Sequence, residues 1–290
     1  MSINISLKSR LKGCFLGLAI GDAMGAPVEF EEPGEFEPVT GFRRGGPHDV
    51  EAGEWTDDMA MALCIADSLI SNKGELNLTS VLDNFILWEE EGKFSSRGHC
   101  FDIGMTCSKA LGSYKKTKAI IALTSGEFES GNGSLMRMAP IIVMFHHDLE
   151  ILSQKCLESS RTTHASPIVD EIVMHFAIIV FNLLSGLDKI EALKNYVPNP
   201  NATPTGFVVD SFDVAILAFR DSSTFEEGLL HVVNQGDDAD TAGAIYGQIA
   251  GAYYGIDQTP LKWRQDLWQV SMLEDVFEKL WVLKGLRNAI

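Results

Sequence analysis

The chain has 290 residues, 46% of them hydrophobic and 22% charged, which is the composition of a folded protein and excludes a disordered one. Forty acidic residues against 23 basic ones give a net charge of −17, which disfavours binding to nucleic acid and to anionic membrane surfaces. The five cysteines are odd in number and none has C-x-x-C spacing, so we predict reduced thiols in the cytoplasm rather than a zinc ribbon or a disulfide scaffold.

The first predicted helix, 8–21, begins like a secretory signal, because basic residues precede a short apolar run. Asp22 falls where a cleavage region would be neutral, so we do not predict export. No stretch reaches the ~20 uninterrupted apolar residues of a membrane helix, and the longest candidate, 172–187, is interrupted by His175 and Asn182.

Apolar residues recur at three-to-four spacing along most of the chain, which predicts helices, and no run alternates cleanly as a strand would. The predicted helices cover 8–21, 58–71, 79–90, 104–115, 134–146, 168–185, 211–220, 225–234, 241–254 and 268–284. Two proline-containing segments, 26–54 and 196–210, are predicted to be long irregular loops, which are often functional. We therefore predict one mainly helical domain over residues 1–290.

Two carboxylates that lie outside any acidic cluster are candidates for acid/base chemistry. Glu29 lies between apolar residues in the first long loop, and burial there would raise its pKa, as an acid/base group requires. Asp102 lies between apolar residues just before the helix 104–115. An ordinary loop carboxylate is the alternative for Glu29, and a helix cap is the alternative for Asp102.

Two acidic clusters stand directly before apolar helices. They contain Thr56, Asp57 and Asp58 in the first case and Asp238, Asp240 and Thr241 in the second. Helix capping explains one or two such residues per helix, but further buried carboxylates repel one another unless a cation binds them. Oxygen ligands without histidine or cysteine favour Mg²⁺ or Mn²⁺ over zinc, and two facing clusters would form a two-metal site. Capping alone is the alternative.

A glycine-rich turn at 130–137 precedes a predicted helix, and backbone N–H groups in such a place can bind phosphate. A plain loop is the alternative, because the turn has neither the lysine of a P-loop nor a nucleophile elbow. His164 could orient a ligand, although a lone histidine is more often structural. His146 and His147 are predicted to form a solvated helix end.

Two predicted helices carry glycine at every fourth position, which places each set along one helical face. The sets are Gly13, Gly17, Gly21 and Gly25, and Gly243, Gly247, Gly251 and Gly255. Each interior glycine costs roughly 0.5–1 kcal/mol relative to alanine, so the pattern indicates a compensating close approach of the two backbones. We expect these to be the innermost helices, and chance in a glycine-rich chain is the alternative.

Taken together, these segments resemble the ADP-ribosylglycohydrolase family, of the dinitrogenase-reductase-activating and ADP-ribosylarginine hydrolase type. The matching segments are GCFLGLAIGDAMGAPVEF (13–30), EWTDDMAMAL (54–63), FDIGMTCSKAL (101–111), GNGSLMRMAPI (131–141), Thr163-His164 and NQGDDADTAGAIYGQIAGAYYG (234–255). They occur in family order across nearly the whole chain. One departure is Asp237, where many members have a second glycine, and it puts the conformation of that loop in question.

The resemblance implies a compact, single-domain, all-α orthogonal helical bundle with a dinuclear centre of two Mg²⁺ ions, with Mn²⁺ as the alternative. By motif position, it implies metal ligands at Thr56, Asp57, Asp58, Asp238, Asp240 and Thr241, and catalytic carboxylates at Glu29 and Asp102. It also implies that the ADP-ribose cleft is lined by Gly131, Asn132, Gly133, Ser134, Met136, Arg137 and His164.

The function implied is metal-dependent removal of ADP-ribose from modified protein side chains, with the N-glycosidic bond to arginine as the expected linkage. The implied partner is an ADP-ribosylated protein and the product is ADP-ribose; we expect no nucleic acid, no membrane and a monomer. Serine linkages and the ribose–ribose bond of poly(ADP-ribose) stay open. The alternatives are a metal-dependent phosphoesterase or pyrophosphatase on ADP-ribose-like compounds, and a non-catalytic ADP-ribose-binding or structural relative.

Overall fold

Helices provide the regular secondary structure in the part of the chain that the computed structural model describes, residues 5–123 and 130–287. These residues contain no strand, and two isolated β-bridges link extended segments. The α-helices are α1 (Leu7–Gly25), α2 (Asp57–Ser71), α3 (Leu78–Glu91), α4 (Met105–Thr117), α5 (Ala139–Phe145), α6 (Leu149–Ser160), α7 (Pro167–Leu184), α8 (Lys189–Leu193), α9 (Val208–Asp221), α10 (Phe225–Val233), α11 (Ala239–Tyr254), α12 (Leu261–Asp266) and α13 (Val270–Arg287). The all-α prediction is confirmed.

One predicted helix is divided in two. The prediction of a continuous helix over 134–146 is wrong, because a 3₁₀ turn covers Leu135–Arg137 and α5 begins at Ala139. Pro140 stands in the first turn of α5, and its ring and missing N–H prevent an α-helix from continuing through this position. The glycine-rich turn therefore leads into a single short turn rather than a long helix.

Three helices were not predicted, namely α6, α8 and α12. The segment of α6 mixes polar and apolar residues without a clear stripe, yet it has a start signal in Asp148, whose side chain accepts a hydrogen bond from the N–H of Ile151. The short helices α8 and α12 are below the length at which periodicity can be read. The predicted loops over 26–54 and 196–210 are confirmed except at one edge of each, because a 3₁₀ turn covers Ala26–Val28 and α9 already begins at Val208.

The glycine-ridged helices α1 and α11 pack against each other along their whole length, as predicted. They run antiparallel: Gly13 faces Gly251, Gly17 faces Gly247 and Gly21 faces Gly243. A Cβ on Gly243 would lie only 2.6 Å from the carbonyl oxygen of Gly21, so nothing larger than glycine fits. Gly25 faces Ala239, and Gly255 follows α11 as its C-cap at φ 70°.

The other helices surround this pair and bury it. Helices α7, α9 and α10 pack against α11, while α5 and α13 pack against α1, and α2 packs against α3 and α5. Almost every residue of α1 and α11 is buried as a result. The C-terminal end of α1 and the N-terminal end of α11 lie together, so residues just after α1 and just before α11 are brought to one place.

Two helices are long and apolar enough to cross a membrane by length and composition. One candidate span, Leu7–Val28, includes α1 and is 94% buried inside the protein; the other, Pro167–Leu184, is α7 and is 44% buried. A buried core helix passes this test as readily as a membrane span does, and a signal sequence near an N-terminus passes it too. The packing of α1 against α11 is that of a core helix.

The prediction of a solvated end at His146 and His147 holds only for His147. His146 is buried after α5, and burial lowers the pKa of its imidazole to about 4, while its Nδ1 lies 3.1 Å from the carbonyl oxygen of Val143. A pKa below the unfolded value of about 6.5 means that folding favours the neutral ring. This contribution to stability is present above pH 6.5 and is lost as the pH falls through about 4.

We therefore expect the His146→Gln variant to lose less unfolding free energy than the wild type when the pH is lowered from 7 to 4.5. His147→Gln is the matched control, because it removes the exposed neighbouring histidine and leaves the buried ring of His146 in place. Urea unfolding followed by circular dichroism at both pH values measures the difference. Equal acid sensitivity of His146→Gln and the wild type would contradict this assignment.

Candidate active site

Asp22 connects α1 to the start of α2. Its carboxylate accepts hydrogen bonds from the backbone N–H groups of Thr56 at 2.8 Å and of Met59 at 3.0 Å, and from the Thr56 hydroxyl at 3.0 Å. These are the bonds that an N-cap side chain makes, so Asp22 caps α2 from a neighbouring helix. The capping alternative therefore does not account for the acids Asp57 and Asp58, which stand in the first turn of α2.

The two predicted acidic clusters face each other. One carboxylate oxygen each from Glu29, Asp238 and Asp240 lies within 4.8 Å of the others. Asp58 is close enough to Glu29 and Asp238 for its charge to be repelled by theirs, and Asp57 is repelled by Asp58 in turn. Acids from the start of α2, the start of α11 and the loop after α1 thus share one buried site.

The threonines of the two clusters are buried beside the acids. Thr56 is the N-cap residue of α2, and its hydroxyl group donates to Asp22. Thr241 lies in the first turn of α11, where its backbone N–H donates to Asp240 Oδ1 at 2.8 Å. Both side chains therefore sit within the acidic site, where their hydroxyl oxygens can serve as neutral ligands.

Burial makes ionisation of the carboxyl groups in this site unfavourable. It raises the pKa values of Asp57, Asp58 and Asp240 well above the usual range, and repulsion between the carboxylates raises them further. Burial and the neighbouring Asp102 raise the pKa of Glu29 to about 9. Both carboxylate oxygens of Asp58 are buried without a hydrogen-bond partner among the described residues. A buried oxygen cluster of this kind fits hard divalent cations.

The loop before α11 is joined to the segment that carries Glu29. The N–H of Phe30 donates to the carbonyl oxygen of Asp237 at 2.8 Å, and the N–H of Asp237 donates to that of Glu31 at 2.9 Å. Asp237 has a φ of 49°, in the left-handed region that glycine enters most easily and aspartate tolerates. Aspartate is therefore compatible with the conformation of this loop at the position where many family members have a second glycine.

Asp102 and Glu29 meet at a histidine that the sequence did not single out. His48 Nε2 lies 3.2 Å from Asp102 Oδ1 and 3.6 Å from Glu29 Oε2. Its interaction with Asp102 raises the pKa of His48 above the usual value for histidine. Helix α4 begins with Gly104 as its N-cap residue, so the capping alternative does not account for Asp102.

A buried ion pair fixes the loop that carries His48. Arg97 donates to both carboxylate oxygens of Glu54 at 2.8 Å each, and it also donates to the carbonyl oxygen of His48 at 2.7 Å. The guanidinium lies over the Phe101 ring at 4.5 Å, and that ring also contacts the His48 ring with centroids 5.7 Å apart. The bidentate pair thus joins the first long loop to the segment that ends at Asp102.

The glycine-rich turn lies against the acidic site. Asn132 Nδ2 donates to Asp238 Oδ2 at 2.5 Å and to Ser211 Oγ at 2.7 Å, which links the turn to the loop before α11. The backbone N–H of Asn132 donates to the carbonyl oxygen of Gly206, so it is not free to bind a phosphate. A Cβ on Gly133 would lie 3.1 Å from the His164 ring, which packs beneath the turn.

Arg137 and His164 belong to a buried network beneath the turn. Arg137 Nη2 donates to Thr163 Oγ1 at 2.6 Å, and its guanidinium lies over the Phe85 ring at 4.7 Å. The same hydroxyl oxygen lies 2.7 Å from His164 Nδ1, a hydrogen bond in which the tautomer of the ring decides which atom donates. Burial lowers the pKa of His164 to about 3, in keeping with a neutral ring.

Two more of the predicted cleft residues, Ser134 and Met136, are also buried. Ser134 accepts a hydrogen bond from Ser160 at 2.8 Å. Gln248 of α11 donates to the carbonyl oxygens of Leu135 and Met136, which holds the 3₁₀ turn onto the central helix. The predicted substrate contacts of this group stay predictions, because side chains this deep support the turn more directly than they reach a ligand.

The family model for ADP-ribosylglycohydrolase matches residues 4–289 of this chain. The chain belongs to the ADP-ribosylglycohydrolase family. This confirms the resemblance inferred from the spaced motifs, and it agrees with the acidic site that those motifs form. The match spans nearly the whole sequence, including the central helix pair and both acidic clusters.

Two relatives are about one-third identical to this chain over the aligned residues. It is 33% identical to the ADP-ribosylarginine hydrolase Tri1 of Serratia proteamaculans, over 94% of this chain and 79% of the relative. It is 31% identical to the ADP-ribosyl-[dinitrogen reductase] glycohydrolase of Rhodospirillum rubrum, over 90% of this chain and 91% of the relative. A solved structure described as an ADP-ribosylglycohydrolase-related protein complex superposes with a TM-score of 0.82 at 32% identity, covering 96% of this chain and 99% of that one.

Proposed function

We propose that this protein is an ADP-ribosylarginine hydrolase that removes ADP-ribose from modified arginine side chains. The observation that carries the proposal is the buried site in which Glu29 and Asp102 share one histidine while Glu29 also lies beside Asp238 and Asp240. The names of two relatives at 33–34% identity, both ADP-ribosylarginine hydrolases, favour arginine as the modified residue.

Two Mg²⁺ ions, or Mn²⁺ in their place, are the proposed cofactors. The residues that would hold them are Thr56, Asp57, Asp58, Asp238, Asp240 and Thr241. The fit rests on the chemistry of the donors: the ligands are oxygen atoms, they stand in two facing groups, and the oxygens of Asp58 have no other partner among the described residues. Bound ions of this kind orient sugar hydroxyls and lower the pKa of a bound water.

The reaction breaks the bond between the anomeric carbon of ribose and a guanidine nitrogen. The oxygen of a water molecule bonds to that carbon, and one water proton goes to Glu29. The guanidine nitrogen takes up a proton as it leaves, and Asp102 is placed to supply it or to hold the sugar. Glu29 suits this task because it is buried at the edge of the acidic site, where desolvation raises its pKa and the bound cations would keep its carboxylate ionised and able to accept the proton.

Substituting Glu29 with glutamine should lower kcat by about 10²–10⁴-fold while ADP-ribose binding is kept, because the amide is nearly isosteric but cannot accept the proton. Glu31→Gln is the matched control, since this exposed carboxylate lies two residues further along the same segment. Initial rates and calorimetric titration with ADP-ribose measure both properties. An undiminished kcat in Glu29→Gln would remove Glu29 from the mechanism.

The linkage is tested by offering the protein with Mg²⁺ three substrates: an arginine-ADP-ribosylated protein, a serine-ADP-ribosylated protein and poly(ADP-ribose). Release of intact ADP-ribose from the arginine substrate alone supports the proposal. Release of AMP or phosphate would instead support the phosphoesterase alternative. Tight binding of ADP-ribose without turnover of any substrate would support a non-catalytic relative.

The cellular setting is part of the proposal. We propose a cytoplasmic monomer with a single catalytic domain over residues 1–290, acting on an ADP-ribosylated protein and needing neither nucleic acid nor a membrane. The five cysteines, all unpaired, are consistent with a reducing compartment. The helix α1 supports a location without export, because its apolar residues form the core.

A further inference from the structure

His48 stands between the two carboxylates to which the proposed mechanism gives the proton transfers. Its Nε2 is 3.2 Å from Asp102 Oδ1 and 3.6 Å from Glu29 Oε2. A carboxylate oxygen only accepts, so the ring nitrogen that faces these oxygens is the donor. The shorter distance makes Asp102 Oδ1 the nearer ion-pair partner of this nitrogen, although the N–H and the oxygen are not aligned as a full hydrogen bond.

The two carboxylate oxygens of Asp102 have different surroundings. Oδ1 faces His48, whereas Oδ2 is buried without a hydrogen-bond partner among the described residues. A buried oxygen without a hydrogen-bond partner destabilises the protein unless a bound ligand donates a hydrogen bond to it. The backbone at Asp102 adds to the constraint, since its φ of 54° places it in the left-handed region that few non-glycine residues adopt.

We propose that His48 is the positioning residue for Asp102. Its imidazole pairs with Oδ1, so that Oδ2 is presented to the ribose or the leaving guanidine. This inference rests on the proposed function for its catalytic consequence, but the pairing itself is a property of the protein alone. Outer groups that orient an acid in this way affect turnover more than substrate binding.

The surroundings of His48 are built to keep the ring in place. Arg97 holds the backbone carbonyl of His48, and the Phe101 ring packs between the Arg97 guanidinium and the imidazole. Glu54 fixes Arg97 through two hydrogen bonds. The chain therefore fixes the backbone and the ring face of His48 independently of Asp102, which leaves Nε2 free for that contact.

The first test compares His48→Ala, His48→Gln and His99→Ala on an arginine-ADP-ribosylated protein. His99 is the matched control because its exposed ring also contacts Phe101, with centroids 6.2 Å apart, yet it has no described contact with Asp102. We expect His48→Ala to lower kcat by about 10- to 100-fold with little change in KM. Glutamine, whose amide can donate from a similar position, should restore part of kcat, and added imidazole should restore part of it in His48→Ala.

The second test does not depend on turnover. The Nε2–H resonance of His48, observed by NMR in the wild type, should move upfield in Asp102→Asn, because the charged acceptor is lost. Asp49→Asn is the matched control, since this neighbouring carboxylate pairs with Arg44. An unchanged His48 resonance in Asp102→Asn would overturn the pairing.

The two tests separate the possible failures. If the wild type does not hydrolyse the arginine substrate, the proposed function fails, and the NMR comparison still decides whether His48 holds Asp102. If the wild type is active but His48→Ala keeps its kcat, or loses it only to the extent that His99→Ala does, the positioning role is overturned. Loss of kcat with neither glutamine nor imidazole rescue would also overturn it.

Discussion

Asp58→Asn is expected to lower kcat/KM by about 10³-fold and, in the metal-free protein, to raise the melting temperature. Asp58 is fully buried and its two oxygens have no partner among the described residues. Burial and the charges of Asp22 and Asp238 raise its pKa well above the usual range. Removing that charge therefore relieves repulsion in the metal-free state, whereas it removes a ligand oxygen from the metal-bound state.

The raised pKa of Asp58 determines how the stability of the metal-free protein changes with pH. A folded-state pKa above the unfolded value near 4 means that folding favours the protonated acid. That contribution is complete below pH 4 and is lost as the pH rises through the folded-state pKa, so the metal-free wild type should lose stability on going from acidic to neutral pH. Asp58→Asn should lose less.

Differential scanning calorimetry at pH 5 and pH 7.5, with EDTA and with Mg²⁺, measures both effects. Asp275→Asn is the control, because this exposed carboxylate on α13 pairs with Lys279 far from the acidic site. Mg²⁺ should stabilise the wild type and the control, and it should stabilise Asp58→Asn much less. If Mg²⁺ raised the melting temperature of all three equally, the acidic site would not be where the metal binds.

Gly17→Ala is expected to reduce the free energy of unfolding by about 3–5 kcal/mol, or to prevent folding. A Cβ at this position would collide with the carbonyl oxygen of Gly247 and would lie 2.9 Å from its carbonyl carbon. Both atoms belong to the backbone of α11, so relief requires the two central helices to move apart. That movement would also separate the ends that bring the two acidic clusters together.

Gly112→Ala is the matched control, since Gly112 lies in the middle of α4 and a Cβ there would meet no atom within 4 Å. This variant should be stabilised by about 0.5–1 kcal/mol, the ordinary helical preference for alanine. Urea unfolding followed by circular dichroism distinguishes the two outcomes. A Gly17→Ala protein as stable as the wild type would contradict the close approach of the two backbones.

The central helix pair could be predicted because backbone contact constrains every fourth residue of both helices. The acidic site could be predicted for a similar reason. A cluster of carboxylates before an apolar helix is destabilising unless a cation binds it, and both features can be recognised within a short segment of the sequence. The position of Glu29 beside Asp238 and Asp240 then follows from the antiparallel pair, since residues after Gly25 and before Ala239 are brought together.

The remaining parts of the site depend on contacts that leave no local pattern. Asp22 can be recognised in the sequence as an acidic residue inside an apolar helix, but its partner Thr56 is 34 residues away. His48 and the Glu54–Arg97 pair lie in irregular segments without periodicity, so their meeting with Asp102 is set by tertiary structure alone. For Arg137, the motif position predicts a ligand contact but does not show how deeply the guanidinium is buried.

The most direct test of the account is the initial rate of ADP-ribose release from an arginine-ADP-ribosylated protein by the wild type. The rate would be measured after treatment with EDTA and again after Mg²⁺ or Mn²⁺ is restored. The account predicts no release in EDTA and recovery of intact ADP-ribose release on adding the cation. Equal release before and after EDTA would contradict the claim that the buried acidic site acts by holding metal ions.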